Sequence, residues 1–122
     1  MWICLNKSFL SIVEPAAEER ELHGDVLLVR ARRPNDIQAV FGKAVKVEKR
    51  PERDYLFRTF LPRELVASTI AAEVAAIDYG NFKNSVKNDK LHDAFARIWS
   101  VMAALQPTRP YSGKSSLSNW SL

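Results

Sequence analysis

Up to Phe60 the apolar residues of this chain fall mainly in short runs bounded by polar and turn residues, and beyond Pro62 they return every three or four residues. Strands joined by short turns pair antiparallel, and helices that follow them bury their apolar stripes on the resulting sheet. The expected fold class is therefore α+β, with a central antiparallel sheet of about four to five strands packed with about three helices.

DVLLVRARR is the clearest strand, placing Leu27, Val29 and Ala31 on one face and Leu28, Arg30 and Arg32 on the other. MWICL and SFLSIVE flank Asn6-Lys7 and predict a β-hairpin. AVKVEK and DYLFRTF predict two further strands around the turn RPERD. In the first, Val45 and Val47 oppose Lys46 and Glu48; in the second, Tyr55, Phe57 and Thr59 oppose Leu56, Arg58 and Phe60. PAAEERELHG, interrupted by Pro15 and Gly24, reads as a surface loop or a weak helical turn.

Three helices are expected. PNDIQAVFG starts at Pro34 with Asn35 or Asp36 and stops at Gly42. PRELVASTIAAEVAAID opens on Pro62 and carries the stripe Val66, Ile70, Val74 and Ile77. The last helix begins near Asn88 or Asp89 and aligns Leu91, Phe95, Ile98, Met102 and Leu105, with Trp99 beside the stripe. Between the last two, IDYGNFKNSV reads as a corner. Gly80 would supply a left-handed turn, Phe82 and Val86 would anchor the last helix, and Asp78 or Asn81 would cap it. One domain over residues 1–106 and a flexible Ser/Pro-containing tail over 107–122 complete the expectation. A ferredoxin-like split is one compatible topology; strand order and the covered face are not readable.

Catalytic signatures are sparse, so no enzymatic activity, cofactor or metal site is expected. SGKSS ends like a phosphate-binding loop, yet Thr108 stands where the motif needs glycine. His23, His92 and Cys4 lack the spacing of a zinc site. No serine stands in a nucleophile elbow, and Asp78 with Lys83 or His92 is a chance-level acid–base pair. Cys4, the only cysteine, excludes an intrachain disulfide, reads as a small core residue and favours a reducing compartment, the cytoplasm. No segment reaches the roughly 20 apolar residues of a membrane span.

Charge is the informative property. Net charge is +4, yet residues 1–24 hold two basic and four acidic side chains, and residues 25–63 hold ten and five. Arg30 and Arg32 project together, and Arg58 can join them across the sheet with Lys46 or Lys49 nearby. On a sheet that also offers Tyr55 and Phe57 for stacking, these arginines suit a small nucleic-acid-binding module, although the RNA-recognition signature is lacking. A solvated strand face accounts for the same arginines. The acidic stretch Glu14, Glu18, Glu19, Glu21 and Asp25 is ordinarily a solubilising loop, but it can also imitate a phosphate run.

MWICL, LLVRARR, DYLFR, IDYGNFK and RIWSVM together resemble a family of short bacterial and phage proteins sharing those segments, over Met1 to about Gln106. Small phage-borne proteins of this kind include anti-CRISPR inhibitors, and the chain is similar to one directed against the type I-C Cascade complex. The resemblance implies a monomeric, non-enzymatic inhibitor in the cytoplasm of a bacterial host. It would bind a Cascade subunit and block target-DNA binding or nuclease recruitment. Many phosphate mimics are acidic overall, whereas the pI here is about 9.4. Mimicry would therefore be local, through Glu14, Glu18, Glu19, Glu21 and Asp25, and contact through the basic face is equally open.

Overall fold

Residues 1–107 are described by the computed structural model, so the expected flexible tail lies, from Thr108 onward, outside the described residues. Five strands form one antiparallel sheet in the order β1-β2-β3-β5-β4. They are β1 Trp2–Leu5, β2 Ser8–Val13, β3 Val26–Ala31, β4 Glu48–Lys49 and β5 Phe57–Pro62. The helices are α1 Ala17–His23, α2 Asp36–Phe41, α3 Arg63–Ala75, α4 Phe82–Ser85 and α5 Asp89–Ala103. The α+β class is as expected, with three helices of seven residues or more and two shorter ones. Two compact units hold these elements, Met1–Asp78 and the residues from Tyr79 onward.

In the first unit the hairpin turns at Asn6-Lys7, with Leu5 opposite Ser8. Pleating divides the sheet into two chemically different faces. The first carries Leu10, Ile12, Val29, Ala31 and Leu61, which join Ile37 of α2 and Val66 of α3 in the buried core. On this face α2 packs against β2 and β3, and α3 against β3 and β5. The expected strand AVKVEK shrinks to Glu48–Lys49, but its alternation survives: Val45 and Val47 pack against the core cluster while Lys46 and Glu48 are exposed. The charged PAAEERELHG segment forms α1, which has no buried residue.

α2 is tied to the hairpin by polar contacts. Asp36 is 4% exposed, and Arg33 Nη2 donates to its Oδ1 at 2.7 Å. Ser8 Oγ donates to the Asp36 carbonyl at 2.8 Å, and the Phe9 N–H donates to Oδ2 at 3.3 Å. Gly42 ends the helix at φ 103°, a conformation that costs L side chains strain. Pro62 closes β5 and caps α3, one position earlier than the first helical residue expected of it. Of the predicted α3 stripe, Val66 is buried and Ile70 is half-buried, while Val74 and Ile77 are exposed.

In the second unit α5 starts where expected, with Asn88 Oδ1 accepting the Leu91 N–H at 3.0 Å. Leu91 and Phe95 of the predicted stripe are buried, but Ile98, Met102 and Leu105 are exposed. The corner departs from expectation in two ways. Asn88, and neither Asp78 nor Asn81, caps α5, because its own side chain is three residues from the N–H it accepts. Gly80 does not adopt a positive φ. Phe82 does anchor the helix, its ring 5.5 Å from that of Phe95. A Cβ at Gly80 would meet nothing within 4 Å. Gly80→Ala is therefore expected to change stability by less than about 0.5 kcal/mol, or to raise it slightly by restricting the unfolded chain. Thermal unfolding checks this, and a large loss would mean that the corner needs glycine.

Candidate anion interface

The second face of the sheet is organised by one row of side chains. Ser11 of β2, Arg30 of β3, Arg58 of β5 and Glu48 of β4 are successive register partners. Arg30 and Arg58, 28 positions apart in sequence, thus become neighbours through the β3–β5 pairing. Alternation along β3 places Arg32 just past the strand's end on the same side as Arg30.

Tyr55 organises two of the three arginines. Arg30 Cζ lies 4.5 Å and Arg32 Cζ 4.1 Å from the centroid of its ring. Each such contact contributes about 0.5–2 kcal/mol and offsets part of the repulsion between the cations. Tyr55 was expected within a strand, on the side of Phe57. It instead precedes β5 and sits 4% exposed against the arginines, while Phe57 packs with the core on the other face. Neither ring is placed to stack a base. The chain leaves the strand pattern at the RPERD turn, where period-two alternation no longer governs side-chain direction.

The hydrogen bonding is uneven. Arg30 Nη2 donates to Ser11 Oγ at 2.8 Å, and Arg32 Nη1 donates to the Asp54 carbonyl at 2.8 Å. The Nε atoms of Arg30 and Arg58 are buried and have no partner among the described residues. Glu48 stands opposite Arg58 in register, yet its carboxylate accepts from Arg50 Nη1 at 3.2 Å. Arg50 also donates to Glu52, and these two bonds, Glu52's first, hold its guanidinium above the ordinary range. Among the described residues, none of Arg30, Arg32 or Arg58 has a carboxylate at salt-bridge distance. Burial, then Arg53 and Arg30, pushes the Arg58 guanidinium below its usual value. Half-buried positive charge held in this way is stabilised by an incoming anion. Lys46 does not join the row; it precedes β4, exposed, and its carbonyl accepts from Thr59 Oγ1 at 2.8 Å.

This arrangement yields a test on the unliganded protein. Arg58→Met keeps most of the apolar stem but removes an unpartnered donor and a like charge. It is expected to leave stability unchanged or to raise it by up to about 1 kcal/mol. Urea unfolding measures the difference, and a loss above that size would mean that Arg58 serves the fold.

The acidic residues gather at the opposite end of the strands. Glu14 follows β2, Asp25 precedes β3, and both reach Arg63 at the start of α3: Arg63 Nε is 2.9 Å from Asp25 and Nη2 is 3.2 Å from Glu14. Glu14 also pairs with Arg20 at 3.0 Å, and Glu19 Oε2 lies 3.4 Å from His23 Nε2. Glu18 and Glu21 are exposed on α1, without an ion pair among the described residues. His23 stacks on Phe60 with ring centroids 4.7 Å apart, which places α1 on the second face. The two charged surfaces read separately from sequence therefore share one face of one sheet.

The other sequence-level candidates stay apart from this site. Cys4 is exposed rather than a core residue, because it falls on the second face of edge strand β1; partial screening of its sulfur raises its pKa above the ordinary thiol value. His92 Nδ1 lies 3.8 Å from Asp93. Among the described residues no three His, Cys, Asp or Glu side chains are grouped to hold a metal ion, and no helix is long and apolar enough to cross a membrane. No protein-family model, curated protein or solved structure matches the chain.

Proposed function

We propose that this chain is a non-enzymatic binding protein that holds the phosphate backbone of a nucleic acid on its arginine row. The supporting observation is Arg58, half-buried beside Arg30 while the carboxylate opposite it in register is hydrogen-bonded to Arg50. Three arginines contacting phosphates of a single strand give a salt slope of about −2, so affinity falls by about 20-fold between 50 and 200 mM salt. Fluorescence anisotropy with a labelled oligonucleotide at several salt concentrations measures this slope. Absence of binding at low salt removes the proposal.

The second reading is an anti-CRISPR inhibitor that binds a type I-C Cascade subunit and blocks target-DNA binding or nuclease recruitment. It is supported by the family resemblance and by Glu18 and Glu21, which remain exposed while Glu14, Glu19 and Asp25 are engaged within the chain. Adding purified protein to Cascade before target DNA tests it. Unchanged DNA binding and nuclease recruitment at large molar excess would rule it out, and Glu18→Gln with Glu21→Gln shows whether α1 is the contact.

A further inference from the structure

We propose that Arg30 and Arg58 together seat one backbone phosphate and Arg32 the next, so that a single strand runs along β3 with its bases unread. This rests on the nucleic-acid reading above and narrows it to a ligand class. Register partners in an antiparallel pair are about 5 Å apart at Cα, close enough for two guanidinium groups to share one multi-oxygen acceptor. Both side chains are half-buried, so turning their outer torsions can bring each unpartnered Nε–H to face that acceptor. Among the described residues Arg58 gives up no hydrogen bond in the turn, and Arg30 gives up the one to Ser11 and part of its contact with the Tyr55 ring. Burial of the positive charge adds to the attraction, because water screens the groups less there than at an open surface.

The direction of the strand follows from the spacing. Arg30 and Arg32 are two residues apart, about 7 Å along an extended chain. That separation is comparable with the distance between neighbouring phosphates in an extended single strand. Base readout would need an exposed ring or an amide beside the row. Tyr55 is buried against the arginines, Phe57 belongs to the core, Phe60 is stacked by His23, Ser11 is fully buried, and the exposed ring opposite Ser11, Trp2, stands on edge strand β1, two strands or about 10 Å off the line of β3. What remains to contact a ligand is guanidinium, whose planar fork suits a phosphate.

Anisotropy at low salt with four labelled probes tests this. The probes are oligothymidylate, an abasic phosphodiester oligomer of equal length, a DNA duplex, and polyglutamate of matched charge. The expected result is equal binding of the first two within about threefold, with duplex and polyglutamate weaker. Arg58→Lys keeps the charge but loses the fork, and is expected to weaken oligothymidylate binding by about tenfold. Unchanged thermal unfolding of this variant shows that the loss is local. Abasic binding more than about tenfold weaker, preference for duplex, equal binding of polyglutamate, or full affinity in Arg58→Lys each overturns the inference while nucleic-acid binding stands. If no phosphodiester probe binds, the broader proposal falls with it.

Discussion

Leu10→Ala is expected to cost about 4 kcal/mol, lowering the unfolding midpoint by on the order of 15 °C. Leu10 is 0% exposed, opposite Ile3 in the hairpin and within the cluster formed by Val29, Ala31, Ile37 and Val66. Truncation loses the transfer free energy of the removed carbons and leaves a cavity between sheet and helices. A site packed between two layers collapses little, so the loss falls in the upper part of the range for such substitutions. Trp2→Ala is the informative contrast. It deletes a larger side chain from the second face, where Trp2 is 74% exposed and meets Phe9 edge-on at 6.2 Å. Its expected cost is below about 1 kcal/mol. Urea denaturation of both variants compares the two faces directly, and equal losses would contradict the assignment of the helix-covered one.

Asp36→Ala is expected to cost about 3 kcal/mol. The carboxylate is nearly inaccessible to water, and it faces Arg33 at both oxygens while also accepting the Phe9 N–H. Its loss takes away the carboxylate that balances a partly buried cation and an acceptor that ties α2 to β2. The Arg33 side chain is 33% exposed and keeps some hydration, which holds the cost to the lower end for a broken buried pair. A negative charge in the first turn of α2 contributes favourably as well. Asp36→Asn keeps the shape and one acceptor and is expected to lose about half as much. Denaturant titration decides between them. If alanine costs no more than an ordinary surface substitution, the ion pair does not tie α2 to the hairpin.

Most secondary structure was legible because its signals are local. The hairpin follows from two apolar runs around Asn6-Lys7, and Asn88 declares a helix start by capping an N–H three residues away. Tyr55 shows the limit of that logic. DYLFRTF is rich in aromatic and β-branched residues throughout, so nothing local says that pairing with β3 begins only at Phe57. Asp36 was readable as a helix-start residue, but its partners on β2 were not. Val74, Ile77, Met102 and Leu105 fit an apolar stripe by spacing alone, yet burial depends on whether another element reaches them, and these remain exposed.

The sequence by itself determined the α+β class, the starts of α2 and α5, and the fact that Arg30 and Arg32 share a side of their strand. Each depends on dihedral preferences, caps or side-chain period over a few residues. Only the tertiary structure decided that helices cover the face of Leu10 and Val29, and that Arg58 stands beside Arg30. It also decided that Glu48 turns to Arg50, and that the acidic helix and the arginines occupy one face. Such outcomes depend on strand register and on where loops return the chain, and a one-residue shift in register would send every one of these side chains to the opposite face.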